Sequence, residues 1–513
     1  MTAPHLAPRT VGGITQRFLS PRLAQALAKH PLLVTLFPLL RHSLIYLAGS
    51  VVLGLGNFIL VPLYTRHLTQ SEFGAYALVE VSLLITVTVT QMGLGTTVLR
   101  WYAEIETAQR GEVLATSVCA VAIAAILGGG VLAVIFQGPL GARWLGASAG
   151  VSWVLLPLVF LRSLQGILFS SLQAAQRSLA YVSSAVLRLL ALVAGGYWFV
   201  AVRSQGVPGV LCGWFLGDGV CVAALLAFCW PRVILRARMG TLWPMLRYGF
   251  PLVWSALMAL LLDASGRFSL AHFESLTEVA RYTVGIKIAG ILSMGFLQPF
   301  GNAWAGAAFP IAHRPNAPIT YTKIMSYALM VAVLLGAITI LFAPLLIRVF
   351  AGRAYSEVRE LLPWLLLPVV FRLLEYWSSL PIYLKYKTHW LAPVATGTTA
   401  LCAGLNTLLV PRWGALGAAL AWSAALAASI ALLTVLGRRY YALPFDLRTC
   451  GFAAAVWVLA IAVGQMTATL EAHAGAAAST VASTLLVLAT VAYFLWDVRG
   501  SKTLFRGEGY AAD

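Results

Sequence analysis

The chain has 513 residues, of which 60% are hydrophobic and only 10% are charged, and its formal net charge is +18. Ordinary soluble domains carry about 25% charged residues. A soluble core could not bury this much apolar surface, so the composition excludes a soluble globular protein and predicts a chain that lies mostly in lipid. The basic residues are dispersed over many short connections, which argues against a nucleic-acid-binding protein.

The N-terminal segment, residues 1–40, is polar and basic, with no cleavable signal peptide visible. It predicts either an amphipathic helix on an anionic membrane surface or a cytoplasmic tail. Further along, the six Cys residues fall within or beside apolar segments and form no CxxC pair, and the eight His residues are scattered. Neither a zinc site nor a disulfide framework is indicated, and we expect no metal and no cofactor.

From Ser43 onward, fourteen apolar segments are long enough to cross about 30 Å of hydrocarbon as helices. The predicted spans 1–14 are residues 43–65, 74–97, 112–136, 150–172, 179–202, 207–230, 247–269, 281–306, 325–347, 359–382, 389–409, 414–437, 448–467 and 477–496. If the N-terminus is cytoplasmic, about 22 of the 35 Lys and Arg residues lie on the cytoplasmic side and about 9 outside. The positive-inside rule therefore predicts that both termini are cytoplasmic.

Three groups of residues recur in the same order along the chain. The first group, Arg41, Glu72 and Tyr76, recurs 206 residues later as Arg247, Glu278 and Tyr282. The second group, Leu172, Leu179, Ala180 and Val182, recurs 212 residues later as Leu384, Leu391, Ala392 and Val394. The third group, Gly206, Gly209 and Trp214, recurs 208 residues later as Gly414, Gly417 and Trp422. Each unit holds about six spans, an even number, so both copies cross in the same direction. Such a parallel repeat about the membrane normal is typical of secondary transporters.

The repeat divides the chain into domains. We predict an N-lobe at 41–230 (spans 1–6), a cytoplasmic linker at 231–246, a C-lobe at 247–437 (spans 7–12), and a segment at 438–513 with spans 13 and 14 and a cytoplasmic tail. The linker is the expected hinge, and the last two spans are expected to pack against the outside of one lobe. The fold class is an all-α polytopic membrane protein. Its short loops argue against a membrane glycosyltransferase, polymerase or ligase, and we expect no enzyme activity.

The first hairpin carries a specific sequence motif. Pro62 to Thr65 ends span 1, Glu72 to Tyr76 follows, and Gly93 to Gly95 precedes Arg100 to Tyr102. This pattern resembles the opening of polysaccharide-export flippases, the O-antigen-type transporters of the MOP superfamily, to which lipid II flippases and MATE exporters also belong. The span architecture resembles that of this family over residues 41–437, whereas the specific sequence motif covers about 60 residues.

The resemblance implies two six-helix lobes around a central cavity that opens alternately to each side of a bacterial inner membrane. It implies as substrate an oligosaccharide on a polyprenyl diphosphate, of the undecaprenyl type, for exopolysaccharide or O-antigen synthesis. The expected partners are this lipid-linked oligosaccharide, membrane lipids, and a polysaccharide polymerase or glycosyltransferases. Because an unpaired charge in the membrane costs several kcal/mol, we expect a hydrophilic, cationic cavity with a lateral opening for the lipid tail.

Ionisable residues inside spans are the first candidates for such a cavity. The predicted diphosphate-binding residues are Lys287, Arg162, Arg188, Arg41, Arg247, Arg100 and Arg372, with Lys287 the strongest single candidate. The predicted ion-coupling or charge-balancing residues are Glu80, Asp218, Asp263 and Glu375, and the predicted sugar contacts are Asn57, Gln91, Gln165 and Asn302. These residues also have purely structural interpretations. Arg372 and Glu375 could neutralise each other, and Arg162 and Arg188 could pair with Asp218. Arg41 and Arg247 could anchor their spans at the cytoplasmic side of the membrane.

Two other functions remain open on the sequence. A MATE-type multidrug or cation antiporter would need acidic residues in its cavity to bind cations and protons. The intramembrane set has four acidic and four basic members, which does not decide. A non-transporting scaffold of a polysaccharide assembly complex would tolerate neutral substitutions of the cavity cations.

The predicted topology can be tested by labelling single cysteines in intact cells. We expect a membrane-impermeant reagent to label position 72, in the first outer connection, and not position 236, in the cytoplasmic linker. Labelling of 236 without labelling of 72 would reverse the orientation.

Overall fold

The computed structural model describes residues 54, 56, 58–105, 109–145, 152–229, 238–312, 316–444 and 446–473. Several predictions lie outside these residues: the N-terminal segment, the candidates Arg41 and Asn57, residues 231–237 of the linker 231–246, and span 14. Throughout the described ranges the regular structure is helical.

The helices follow the predicted spans. They are α1 (58–67), α2 (Gln70–Gln91), α3 (Leu94–Glu104), α4 (Arg110–Gln137), α5 (Pro139–Leu145), α6 (Leu155–Ala174), α7 (Ser178–Gly196), α8 (Gly206–Cys229), α9 (Met239–Phe273), α10 (Leu276–Leu292), α11 (Gln298–Ile311), α12 (Ala317–Leu341), α13 (Ala343–Phe350), α14 (Val358–Leu384), α15 (Leu391–Arg438) and α16 (Leu447–His473). π-helical turns at Tyr197–Val202 and Ser293–Leu297 extend α7 and join α10 to α11.

Eleven helical stretches of the described chain are long and apolar enough to cross a membrane. One of them, Thr388–Arg438, contains two predicted spans. The two spans are the two arms of α15, which bends at Gly414, where φ is 53° and ψ is −131°. The predicted all-helical, multi-span fold is confirmed. The count of fourteen stays a prediction, because span 1 is described only in part and span 14 lies outside the described residues.

The acidic residues of the repeat were expected in loops, and this expectation is wrong. Glu72 lies in the first turn of α2, where the Thr69 hydroxyl accepts from the Glu72 N–H and the Glu72 carboxylate accepts from the Thr69 N–H. Ser275 caps α10 by accepting from the Glu278 N–H, whereas the Glu278 carboxylate accepts from Arg281. A Ser or Thr followed three residues later by Glu can form a capping box, which starts a helix earlier than hydropathy alone predicts.

Backbone irregularities also recur at equivalent positions. Gly206 and Gly414, separated by the predicted offset of 208, both have positive φ, at 60° and 53°. The left-handed break at Met92 and Gly93 splits span 2, and the π-helical turn Ser293–Leu297 interrupts its counterpart, span 8. The short helices α5 and α13 follow spans 3 and 9. The two halves therefore use the same local structure in the same order, while the lobe limits stay predictions.

The connections between helices fall on two faces. The Glu72 face carries residues 68–69, 138, 203–205, 274–275, 351–357 and 414, and the Arg100 face carries residues 105, 109, 175–177, 312, 316, 385–390 and 439–444. The charge distribution predicts that the Arg100 face is cytoplasmic. These two names are used below.

Helix α16, which has no counterpart in the repeat, packs against α12 of the C-lobe. The Trp457 ring lies over Gly336 of α12, where there is no room for a larger residue. Just before α16, Asp446 accepts hydrogen bonds from the Thr449 hydroxyl at 2.6 Å and from the Arg448 and Thr449 N–H groups. Burial acts to raise the pKa of Asp446, but these hydrogen bonds outweigh it and hold the pKa below its usual value.

The two lobes approach most closely where α2 begins beside α10. A Cβ atom on Gly74 would collide with the carbonyl oxygen of Leu276. Gly74 is the repeat partner of Ala280, so this pair is asymmetric where the backbone of α10 crosses α2. Gly130, in α4, has open space where its Cβ would be.

We therefore expect Gly74→Ala to lower the midpoint of thermal unfolding in detergent, because overpacking a tight contact costs about 1–3 kcal/mol. Gly130→Ala is the matched control. It should leave the midpoint unchanged or raise it, because Ala favours a helix over Gly by about 1 kcal/mol. Equal midpoints for the two variants would contradict the close approach at Gly74.

Candidate functional site

Asp218 is the centre of a buried charge cluster in the N-lobe. Its side chain is 0% exposed and accepts from Arg162 Nε at 2.7 Å and from Arg188 Nε at 2.8 Å. Gln165 donates to Asp218 Oδ1 at 3.2 Å and to its backbone oxygen at 3.1 Å. The Arg162 guanidinium also lies 4.5 Å from the ring centre of Trp214. Helices α6, α7 and α8 thus bring together four residues that the sequence singled out, and one carboxylate holds two guanidinium groups.

Lys287 and Glu80 form an ion pair between the lobes. Lys287 Nζ on α10 donates to Glu80 Oε1 at 2.8 Å and to Oε2 at 2.9 Å on α2, and the two side chains are only 15% and 17% exposed. Arg162 and Arg267 also act on Glu80 electrostatically. The strongest sequence candidate therefore lies at the lobe interface, but it already has a partner.

A third group lies within the C-lobe. Arg372 on α14 contacts Asp263 on α9 at 2.9 Å and Glu375 of its own helix at 3.4 Å. The sequence had left open that Arg372 and Glu375 neutralise each other, and the structure adds Asp263 as the shorter contact. This group carries one negative charge in excess.

Arg267 is a functional candidate that the sequence reasoning missed. Span 7 was predicted to end at residue 269, which placed Arg267 at the membrane edge, but α9 continues to Phe273. Its Nε atom is buried and has no hydrogen-bond partner among the described residues. The signal that could have found it is its spacing of four residues from Asp263, which places both on one face of α9.

The remaining predicted residues are scattered. Arg100 is exposed, pairs with Glu104 at 3.0 Å and lies 4.5 Å from the Tyr248 ring centre. Gln91 donates weakly, at 3.4 Å, to the Arg162 carbonyl, while Asn302 is exposed on α11. Gln165 is held by Asp218, so the structure places it as a support of the charge cluster. Within the described part of the chain, no group of His, Cys, Asp and Glu residues could hold a metal ion.

A lateral cleft opens between α2 and α4 of the N-lobe and α9 of the C-lobe. Its volume is about 930 Å³, and its walls are almost entirely apolar, with Trp243, Phe250 and Trp254 among them. Arg247 is the one charged residue in its lining. The cleft thus offers an apolar surface between the lobes with a cation beside it.

The lobes meet along the Glu72 face through two equivalent contacts. The turn between α1 and α2 meets the α13 region, where Thr65 Oγ1 donates to the Phe350 carbonyl at 3.0 Å and Gln70 to the Ala354 carbonyl at 2.6 Å. On the other side, α5 meets the end of α9, where Arg143 donates to the His272 carbonyl at 2.6 Å. The Trp144 ring stacks on Phe268. The two lobes are therefore in contact at two places on the Glu72 face.

A family model described as "Polysaccharide biosynthesis protein" matches residues 39–314, which is more than half of the chain. The chain belongs to this polysaccharide biosynthesis protein family. No curated protein sequence shows significant similarity to it. The match covers the first hairpin, on which the resemblance rested, together with the Asp218 cluster and the Lys287–Glu80 pair, so the flippase family expected from the sequence is confirmed.

Solved structures of MOP superfamily transporters share the fold of this polysaccharide biosynthesis protein. The lipid II flippase MurJ in an inward closed conformation superposes with a TM-score of 0.67 at 11% identity, over 90% of this chain and 99% of MurJ. An inward-facing multidrug resistance MATE family transporter gives 0.61 at 15% identity, over 76% and 93% of the two chains. An outward-facing MATE structure gives 0.55 at 15% identity, over 78% and 95%. At such identities the likeness establishes the fold and leaves the substrate open.

The charge cluster generates a stability prediction. Asp218→Asn would leave two half-buried guanidinium groups without their carboxylate, and breaking a buried pair costs about 3–5 kcal/mol. Asp263→Asn is the matched control, because Asp263 is 45% exposed and exposed pairs contribute about 0–1 kcal/mol. We expect the first variant to unfold at a clearly lower temperature than the second in the same detergent. Similar losses for both would contradict the central place of Asp218.

Proposed function

We propose that this protein is a flippase that moves an oligosaccharide linked to a polyprenyl diphosphate of the undecaprenyl type across the cytoplasmic membrane by alternating access. The observation that carries the proposal is the charge balance where the lobes meet. Four cations there face two carboxylates: Arg162, Arg188, Arg267 and Lys287 against Glu80 and Asp218. This set has two positive charges in excess, or one when the Arg372 group of the C-lobe is included, and so it attracts a diphosphate, which could not cross hydrocarbon unpaired.

The carboxylates make capture reversible. In the absence of a substrate, Glu80 and Asp218 satisfy cations that would otherwise be buried alone at high cost. A diphosphate can compete with Glu80 for the N–H donors of Lys287, since charged oxygens form strong hydrogen bonds with ammonium and guanidinium groups. Arg267 offers a buried Nε that is already free among the described contacts. When the headgroup leaves, the original ion pairs form again.

The lipid tail would remain in the apolar cleft beside α9 or in the surrounding lipid, with Arg247 near the headgroup end of the cleft. Because lipid tails are as apolar as this surface, the polyprenyl chain can exchange between lipid and the cleft at little cost in free energy. Release on the Glu72 face requires the paired contacts at Gln70 and Arg143 to separate. The interruptions at Gly93 and at Ser293–Leu297 lie in spans 2 and 8, where such breaks commonly serve as hinges, and the linker 231–246 would join the moving lobes.

A MATE-type cation antiporter is the main alternative. It needs a carboxylate that is free to take a cation or proton, and of the three interior charge groups only the Arg372 group of the C-lobe has a carboxylate in excess. Asp218 holds two arginines and Glu80 holds Lys287. This pairing favours an anionic substrate. No bond is made or broken in the proposed transport, so no catalytic residue is assigned.

The test replaces Lys287 by Gln and by Arg, with normal amounts of protein in the membrane. Lys287→Gln should abolish surface polysaccharide and let the lipid-linked precursor accumulate inside, because the cation is lost. Lys287→Arg should retain part of the transport. If Lys287→Gln exports normally, and neutral variants at Arg162 and Arg188 do as well, the electrostatic mechanism is wrong.

A double variant separates charge from structure. Lys287→Gln leaves Glu80 half-buried without a partner, whereas Glu80→Gln with Lys287→Gln gives two amides that can hydrogen-bond to each other. If Lys287 only holds the lobes together, the double variant should restore export. If Lys287 receives the diphosphate, the double variant should fold normally and remain defective in export. If the protein is a non-transporting scaffold, the double variant should be fully functional.

A further inference from the structure

A second cavity lies on the Glu72 face, and all its lining residues belong to the C-lobe or to α16. It has a volume of about 620 Å³ and is formed by the starts of α10 and α14, the end of α12, the second arm of α15 and part of α16. Small-molecule sites typically measure about 300–1,000 Å³. Since α16 stands outside the repeat, the N-lobe has no counterpart of this wall among its own described helices.

Charged side chains of both signs line the cavity. Arg281 Nη1 contacts Glu278 at 2.6 Å and Glu357 at 2.7 Å, and its Nε is buried without a hydrogen-bond partner among the described residues. Arg359 donates to the Gly464 carbonyl at 2.7 Å and so ties α14 to α16. The carboxylate of Glu360 has no partner within the described chain and is exposed. The walls are therefore held by fixed contacts, while Glu360 and Arg281 Nε keep unused hydrogen-bonding capacity.

The chemistry of the lining selects among ligand classes. Three carboxylates face two guanidinium groups, so one negative charge is in excess, which disfavours a phosphate. The lining supplies acceptors at Glu360, donors at Arg281 and an amide at Gln465, and sugar hydroxyls can both donate and accept. Trp364 is half-buried in the same wall and offers an apolar ring face, with Leu361 and Ile461 nearby. An aromatic body among convergent polar groups suits a ligand that is polar at its edge and apolar on its face.

We propose that this cavity is a second saccharide-binding site, which takes a neutral or amino-sugar unit of the transported glycan on the Glu72 face. The inference deepens the proposed function and rests on it, since the glycan would reach this face as part of the flipped substrate. It assigns the two ends of the substrate to different places, the diphosphate to the cations between the lobes and the sugar to the α16 cavity.

The experiment uses the full chain in lipid nanodiscs on an array of lipid-free neutral, amino-bearing and acidic oligosaccharides. We expect binding of neutral or amino-bearing glycans. Affinity should fall about tenfold for Glu360→Gln, which removes a charged hydrogen-bond acceptor, and by a similar factor for Trp364→Leu, which removes the ring face. Glu274→Gln is the matched control, because Glu274 is exposed on the same face outside this cavity, and it should bind as the parent does. An array without binding, binding of acidic glycans only, or binding unchanged in both cavity variants would overturn the site.

The Lys287→Gln variant keeps the two proposals apart. It should retain glycan binding, because Lys287 does not line the α16 cavity, while it loses export. If Lys287→Gln and the neutral variants at Arg162 and Arg188 all export normally and glycan binding still depends on Glu360, the transport mechanism fails and the saccharide site stands. If Lys287→Gln blocks export and the array shows no binding, or if glycan binding is lost in Lys287→Gln alone, the saccharide site fails and the transport mechanism stands.

Discussion

Each charge that this chain carries into the interior of the helix bundle needs a partner, and the arrangement of the lobes follows from that requirement. An isolated charge in a low-dielectric interior is prohibitively costly, but a carboxylate that serves two guanidinium groups removes most of the cost. Asp218 does so within the N-lobe, and Glu80 reaches across to Lys287 in the C-lobe. The same pairing that lets the charges be buried keeps them available to a competing anion. In the proposed mechanism, transport and stability therefore depend on one set of ion pairs.

The repeat explains why the lobes close symmetrically. Equivalent turns, between α1 and α2 and between α9 and α10, lie beside the equivalent short helices α13 and α5 of the opposite lobe. A contact made once by the repeated unit is thus made twice, on both sides of the axis. The Lys287–Glu80 pair breaks this symmetry, because the repeat positions 206 residues away are Val81 and Ile286. This asymmetric ion pair can be exchanged for contacts with another anion without breaking the two symmetric contacts on the Glu72 face.

The sequence predicted the fold well where length and hydropathy decide it. Spans, the order of the lobes and the recurrence of Gly206 as Gly414 could all be read from apolar length and from residue matches. The capping box at Thr69 and the cap at Ser275 were missed, because these helix starts depend on a single hydroxyl side chain rather than on hydropathy. Arg267 was missed for a related reason, since its depth depends on where α9 ends. Which cation pairs with which carboxylate could not be predicted, because it depends on how helices distant in sequence rotate against each other.

Helix α16 makes the two lobes chemically different on the Glu72 face, because it forms a polar cavity on the C-lobe. A repeat alone would provide equivalent surfaces on the Glu72 face, and nothing would distinguish the lobe that a departing glycan meets. Helix α16 packs on α12, is tied to α14 through Arg359, and creates a mixed-charge cavity on the C-lobe. A substrate with an anionic end and an uncharged end can then be held at two chemically different places at once. In the proposed mechanism, the excess negative charge of this cavity would repel the diphosphate, so the headgroup would bind the cations between the lobes and the sugar would bind the α16 cavity.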